Sequence, residues 1–140
     1  MDIEKLDKIL CSAKCSYGNV KARHWTVSGD KFITLHKAFD KIAEVLNELA
    51  DKCAERIIQY DEIPSHTFEQ FMEESIISQD PVIKDWESMC RDTSKELKDL
   101  YNYIDKCFNL GEFDETTNNM LATYTEKMEF YRMEMDRLIK

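Results

Sequence analysis

Residues 32–57, FITLHKAFDKIAEVLNELADKCAERI, decide the fold. Phe32, Leu35, Phe39, Ile42, Leu46, Leu49 and Cys53 recur at alternating steps of three and four, the spacing of a helix that buries one stripe in a bundle. Beside that stripe run His36, Asp40, Asp51 and Glu55, which at 100° per residue fall within an arc of roughly 100°. One helix face therefore gathers an imidazole and three carboxylates. A row of acids on a helix is also what a solvated face looks like, and a histidine near an apolar stripe is also what a packed core residue looks like.

Axial spacing sharpens the metal reading. His36 and Asp40 stand one turn apart, as do Asp51 and Glu55, so each pair can grip one ion from consecutive turns. The pairs are centred near residues 38 and 53, about 22 Å apart at 1.5 Å per residue, too far to share an ion within one chain. Two copies lying antiparallel about a two-fold axis would bring His36 and Asp40 of one chain to Asp51 and Glu55 of the other, giving two equivalent sites.

Outward from this helix, Ile3, Leu6, Leu10, Ala13, Tyr17, Val20 and His24 predict a first helix from Asp2 to Thr26. Its stripe ends on a histidine whose ring nitrogens need a hydrogen bond or a metal. Gly18 costs that helix about 1 kcal/mol relative to alanine, which points to a close contact there. Ser28-Gly29 breaks the helix and Asp30 is the expected cap of the next, which runs to Tyr60. Asp61 to Pro64 is a connector. Thr67 with Gln70 forms a capping box for a short amphipathic helix carrying Phe68, Phe71, Met72 and Ile76. Asp80-Pro81 is expected to start the third long helix, whose stripe is Trp86, Cys90, Thr93, Leu97, Leu100, Ile104 and Cys107, with a stop at Leu110-Gly111. Asp114 caps the last, with Leu121, Tyr124, Met128, Tyr131, Met135 and Leu138. No strand pattern competes. The expectation is one all-α domain spanning residues 1–140, a ferritin-like four-helix bundle crossing at roughly 20°, with a short extra helix in the crossover between its second and third long helices.

Composition bounds the partners. The net charge of −9 opposes binding to phosphate backbones and suits attraction of metal cations, and no lysine-rich tail is seen. No apolar run approaches the ~20 residues of a membrane helix and nothing resembles a signal peptide, so a soluble, cytoplasmic protein is expected. Cys11, Cys15, Cys53, Cys90 and Cys107 form no CxxC pair, which excludes a zinc ribbon and leaves them as small buried residues in a reducing compartment. Cys11 and Cys15, one turn apart, could also hold a soft metal or act as a redox pair.

The run from His24 to Ile57, HWTVSGDKFITLHKAFDKIAEVLNELADKCAERI, resembles the signature of the Dps proteins, the mini-ferritin branch of the ferritin superfamily. His24, His36, Asp40, Asp51 and Glu55 stand in that family's order, at separations of twelve, four, eleven and four. The resemblance implies a hollow dodecamer of identical chains that oxidises Fe(II) with hydrogen peroxide, or with oxygen, at two-iron sites between two-fold related chains and stores a ferric mineral. On that pattern Asp51 and Glu55 of one chain with His24 of the other hold the tighter iron. His36 and Asp40 complete a second, weaker position, in part through water. Trp25 is a candidate radical trap or, equally, a core aromatic. Glu44 and Glu48 are candidates for mineral nucleation or a solvated face, and Asp114 and Glu115 for an iron-uptake pore in which Asn119 replaces an acid common in relatives. Two alternatives stand beside ferroxidase activity: a Dps protein that condenses DNA, which the acidic balance and missing basic tail disfavour, and a metal-binding shell without turnover.

Overall fold

A computed structural model describes all residues from Met1 to Lys140 and contains only helices. They are α1 (Ile3–Thr26), α2 (Phe32–Gln59), α3 (Phe68–Glu74), α4 (Trp86–Asn109) and α5 (Glu115–Leu138). Three long helices begin with an aspartate whose carboxylate accepts a first-turn backbone N–H: Asp2 from Lys5, Asp85 from Ser88, and Asp114 from Thr117. Such caps satisfy donors that the helix itself leaves without partners.

α2 departs from this rule. Asp30 was the expected cap, but the helix starts at Phe32, the cap position is Lys31 and no side chain caps it. Gly29, at φ +97°, turns the chain so that its own carbonyl accepts from Phe32 N–H at 3.1 Å, leaving Asp30 one position too early to reach the first turn. Phe32, expected in the core, is 41% exposed for the same reason: it stands in the first turn, at the rim of the bundle. Gly18 meets no neighbour within 4 Å of where a Cβ would stand, so the expected close contact is absent within the chain.

The remaining stripes turn inward as their spacing predicts, with Ile3, Tyr17, Trp86, Tyr131 and Leu138 only partly buried against the core. Leu35, Phe39, Ile42, Leu46 and Leu49 of α2 join Leu6, Leu10 and Val20 of α1, Leu97, Leu100 and Ile104 of α4, and Leu121, Met128 and Met135 of α5 in one core. Leu46 is wholly buried, and truncating such a residue to alanine costs roughly 2–5 kcal/mol because the packing cannot fully close on the gap. α1 packs chiefly on α2 and α4 on α5, two hairpins joined by the long crossover from Tyr60 to Asp85, which is ferritin-like connectivity.

A row of polar side chains on α1 pins that crossover. The Asp7 carboxylate accepts from the Ser65 N–H (2.7 Å) and hydroxyl, and Ser12 Oγ accepts from Ile76 N–H (2.9 Å). Asn19 donates to the Ser78 carbonyl (2.8 Å) and accepts from Asp80 N–H (2.9 Å). Buried Arg23 donates to Thr93 Oγ1 (3.0 Å), Asp80 Oδ2 (3.0 Å) and Glu96 Oε2 (2.5 Å). Burial pushes the Glu96 carboxyl up, and Arg23 pulls it back down. Losing the arginine would strand a buried carboxylate, a change that typically costs roughly 3–5 kcal/mol.

This row corrects the start of α4. Asp80-Pro81 was the expected cap and first turn, yet the helix begins at Trp86, because the Asp80 carboxylate is held by Arg23 and its N–H by Asn19. The Thr67–Gln70 capping box forms as expected, but α3 buries none of its residues. Phe68 is 85% exposed, only Phe71 packs against the core, and Ile76 lies beyond the helix end.

Candidate metal centre

His24 in the last turn of α1 and His36 in the second turn of α2 face each other across the Val27–Lys31 connection. Their rings stack at 3.9 Å with an interplanar angle of 18°, and Phe32 stacks on the outer side of His36 at 5.1 Å. Each ring is bonded to the other residue's main chain: His24 Nδ1 to the His36 carbonyl at 2.5 Å, and His36 Nδ1 to the His24 carbonyl at 2.7 Å. A carbonyl oxygen only accepts, so both Nδ1 atoms carry the hydrogen, and each imidazole, when neutral, presents its lone pair at Nε2. Histidines that ligate metals are held in this way, with the nitrogen remote from the ion donating to a carbonyl or carboxylate.

Asp40 stands one turn after His36, and its Oδ1 lies 4.0 Å from His24 Nε2, beyond hydrogen-bonding distance. The structure thus brings His24, His36 and Asp40 to one corner of the α1–α2 hairpin. It also places Lys21 there, with its Nζ donating to Asp40 Oδ1 at 2.6 Å. That hydrogen bond holds the Asp40 carboxyl below its usual range. Sequence reasoning missed Lys21, although its position three residues before His24 puts it on the same helix face.

Asp51 and Glu55 lie further along α2, both exposed, and Glu55 makes only a 3.9 Å contact with Lys52. They are not gathered with the histidines, and nowhere in the chain do three His, Cys, Asp or Glu side chains converge as a metal-binding group. Burial pushes the Tyr124 hydroxyl of α5 up, and the charges of Glu48, Asp51 and Glu55 add to it.

The other candidates fall in mixed settings. Trp25 is 67% exposed, which removes its reading as a core aromatic. Glu44 and Glu48 border an open groove between α2 and α5 with Phe130 and Tyr131. Glu115 is exposed, whereas Asp114 is committed: it caps α5, accepts from Arg56 Nη2 at 3.0 Å and is hydrogen-bonded by the Tyr60 hydroxyl. Hydrogen bonds from Thr117 and Tyr60, and then the Arg56 charge, hold its carboxyl far below the carboxylate range. All five cysteines are free and buried. Burial pushes Cys11 and Cys90 up to about 11, the opposite of an activated thiolate.

This arrangement sits in a recognisable lineage. The family described as Ferritin-like domain matches residues 3–139. The chain is 26% identical over 135 residues to DNA protection during starvation protein 2 of Bacillus anthracis, covering 89% of this chain and 87% of that protein. It is 24% identical over 131 residues to general stress protein 20U of Bacillus subtilis strain 168, covering 91% and 89% respectively. The crystal structure of a Dps protein from Vibrio cholerae O1, described as a member of a broad superfamily of ferritin-like diiron-carboxylate proteins, superposes with a TM-score of 0.91 at 24% identity, over 99% of this chain and 88% of that one. The chain belongs to the ferritin-like family, in its Dps branch. No helix is long and apolar enough to cross a membrane.

Proposed function

We propose that this protein stores and detoxifies iron, oxidising Fe(II) at sites shared between two-fold related copies of the chain. The observation that carries this reading is the reciprocal hold of His24 and His36 through their Nδ1 atoms beside Asp40, which leaves Nε2 of each neutral ring as the nitrogen that can ligate. Neutral imidazoles with carboxylates suit Fe(II), and oxygen donors also stabilise Fe(III) once it forms. His24, His36 and Asp40 supply one half of each site, and Asp51 and Glu55 of the two-fold mate supply the other. Asp51 and Glu55 with His24 take the first iron, and His36 with Asp40 the second.

Iron is the substrate. Two Fe(II) each give one electron to hydrogen peroxide, which with two protons becomes two waters, so no hydroxyl radical is released; oxygen is the slower alternative oxidant. The ferric product collects inside a hollow homododecamer. The exposed acids Glu44 and Glu48 favour nucleation at the wall, exposed Trp25 favours a radical-trapping role, and Glu115 is a freer candidate for iron uptake than its neighbour Asp114.

The test mixes anaerobic Fe(II) and peroxide with the protein and follows early ferric absorbance. Asp51→Asn with Glu55→Gln should slow the early phase by about tenfold or more, since both changes remove ligands outright. An unchanged early rate would refute the site, and tight Fe(II) binding without absorbance growth would identify a metal-binding shell without turnover.

A further inference from the structure

We propose that Ile33 and Ile58 form the apolar contact that fixes the register of the two-fold pair, Ile33 of one copy lying on Ile58 of its mate at the outer end of each shared site. The inference rests on the shared site proposed above and concerns two residues that hold no metal.

Isolated isoleucines are common on protein surfaces, so what sets these two apart is their placement. Ile33 is 70% exposed and Ile58 53%, and with Phe32 they are the large apolar side chains that α2 leaves to solvent. Around the helix from His36, at 100° per residue, Ile33 falls at about 60° and Ile58 at about 40°, in line with Asp51 and Asp40 respectively. Both isoleucines therefore stand on the strip that carries the proposed ligands. Along the axis Ile33 precedes His36 by three residues, and Ile58 follows Glu55 by three. An antiparallel mate that sets its Glu55 against His36 accordingly sets its Ile58 against Ile33, and the two-fold axis makes the contact twice. Phe32, stacked on His36 at 5.1 Å, adds a ring to the same apolar end.

Charge singles out the same register. Glu44 then faces the mate's Asn47, an acceptor against an amide donor, and Asp40 against Asp51 is the one pairing of like charges along α2, at the point where a cation is to bind. Sliding the mate by one turn in one direction sets Asp40 against Glu55 and Glu44 against Asp51, and puts Ile58 on Lys37. Sliding it the other way carries Ile58 past the start of the helix at Phe32. Either shift separates the isoleucines.

Cysteine crosslinking of the full-length chain reads the contact directly, because all five native thiols are buried. Chains carrying Ile33→Cys and chains carrying Ile58→Cys are refolded together in equal amounts and treated with a thiol-to-thiol crosslinker about 8–10 Å long, the separation of packed helices. Half of the two-fold pairs are then mixed, each with one new cysteine against another, so about half of the chains should run as covalent dimers. Each variant refolded alone should give almost none, because its two new cysteines lie ~37 Å apart along the axis. Covalent dimer in either variant alone, or no more of it in the mixture than in the separate samples, overturns the contact. A charge exchange supplies a second measurement. Ile33→Glu or Ile58→Lys alone should raise the concentration at which the assembly dissociates by about tenfold, since each lays a charge on an isoleucine, and the two together should recover most of that loss. Single variants without effect, or a double variant no better than the worse single, overturn the contact too. None of these readouts needs iron. Their failure beside a parent protein that oxidises Fe(II) at Asp51 and Glu55 strikes the isoleucine contact alone, whereas crosslinking in a protein that binds no Fe(II) upholds the contact and strikes the shared site.

Discussion

His24 and His36 fix one another through their main chains, each Nδ1 donating to the other's carbonyl at 2.5 and 2.7 Å while the two rings lie stacked. Twelve residues apart and on different helices, they close the end of the α1–α2 hairpin and settle which nitrogen each turns outward. His24→Ala should therefore weaken first-step Fe(II) binding by about 10–100-fold, as loss of a ligand or of its orienting partner does. His36→Ala should act mainly on the second step, because the His36 carbonyl that orients His24 survives. Helical circular dichroism should be unchanged in both, since neither ring belongs to the core. Equal loss of both binding steps in both variants would contradict the division of roles.

Sharing of the site between chains has its own signature. A chain carrying His24→Ala, His36→Ala and Asp40→Asn, and another carrying Asp51→Asn and Glu55→Gln, should each be inactive alone. Refolded together in equal amounts, half of the two-fold pairs are mixed, and each mixed pair contains one intact site. The early oxidation rate should recover to roughly one quarter of the parent value. A mixed assembly with no recovery would place the site within a single chain.

Asp114 predicts an acid-limb effect. Its carboxyl is depressed in the folded chain, first by Thr117, then by Tyr60 and Arg56, from an ordinary value of 3.8. The folded state thus binds fewer protons at this group than the unfolded state, so its contribution is present above the unfolded value and is lost as pH falls below about 4 toward the depressed folded value. Asp114→Asn should flatten the decline of stability in that acid range. Asp114→Ala should also lose the cap of α5, about 1 kcal/mol, at every pH. Urea unfolding at fixed protein concentration between pH 2 and 7 measures both, and an acid limb of unchanged slope in Asp114→Asn would count against this account.

The five thiols should be silent in the folded protein. All are buried, and burial raises each of them above its ordinary value, so the thiolate that reacts with peroxide or disulfide reagents is scarce. A colorimetric thiol titration at pH 8 should find almost none in the native state and five after denaturation, before and after exposure to peroxide. Rapid native reaction of Cys11 or Cys15 would revive the redox-pair reading.

The long helices were legible because burial writes a period of three and four into the chain, and the Asp114 cap and the Thr67–Gln70 box mark ends through contacts three residues apart. The proposed ligands were set out in the sequence as well, by their spacing along α2 and at the end of α1. What the sequence could not carry were partnerships between residues far apart in the chain, where any carboxylate has many possible cations. Arg23 lies 57 residues from Asp80 and 73 from Glu96, and by taking Asp80 it moved the start of α4 five residues beyond Pro81, to Trp86. Likewise the period along α2 set out His36 and Asp40, but only the folding of α1 against α2 decided that two carbonyls would orient the imidazoles and that Lys21 would sit on Asp40. Periodicity reports which face of a helix leaves water; which polar groups meet there is settled when the helices pack.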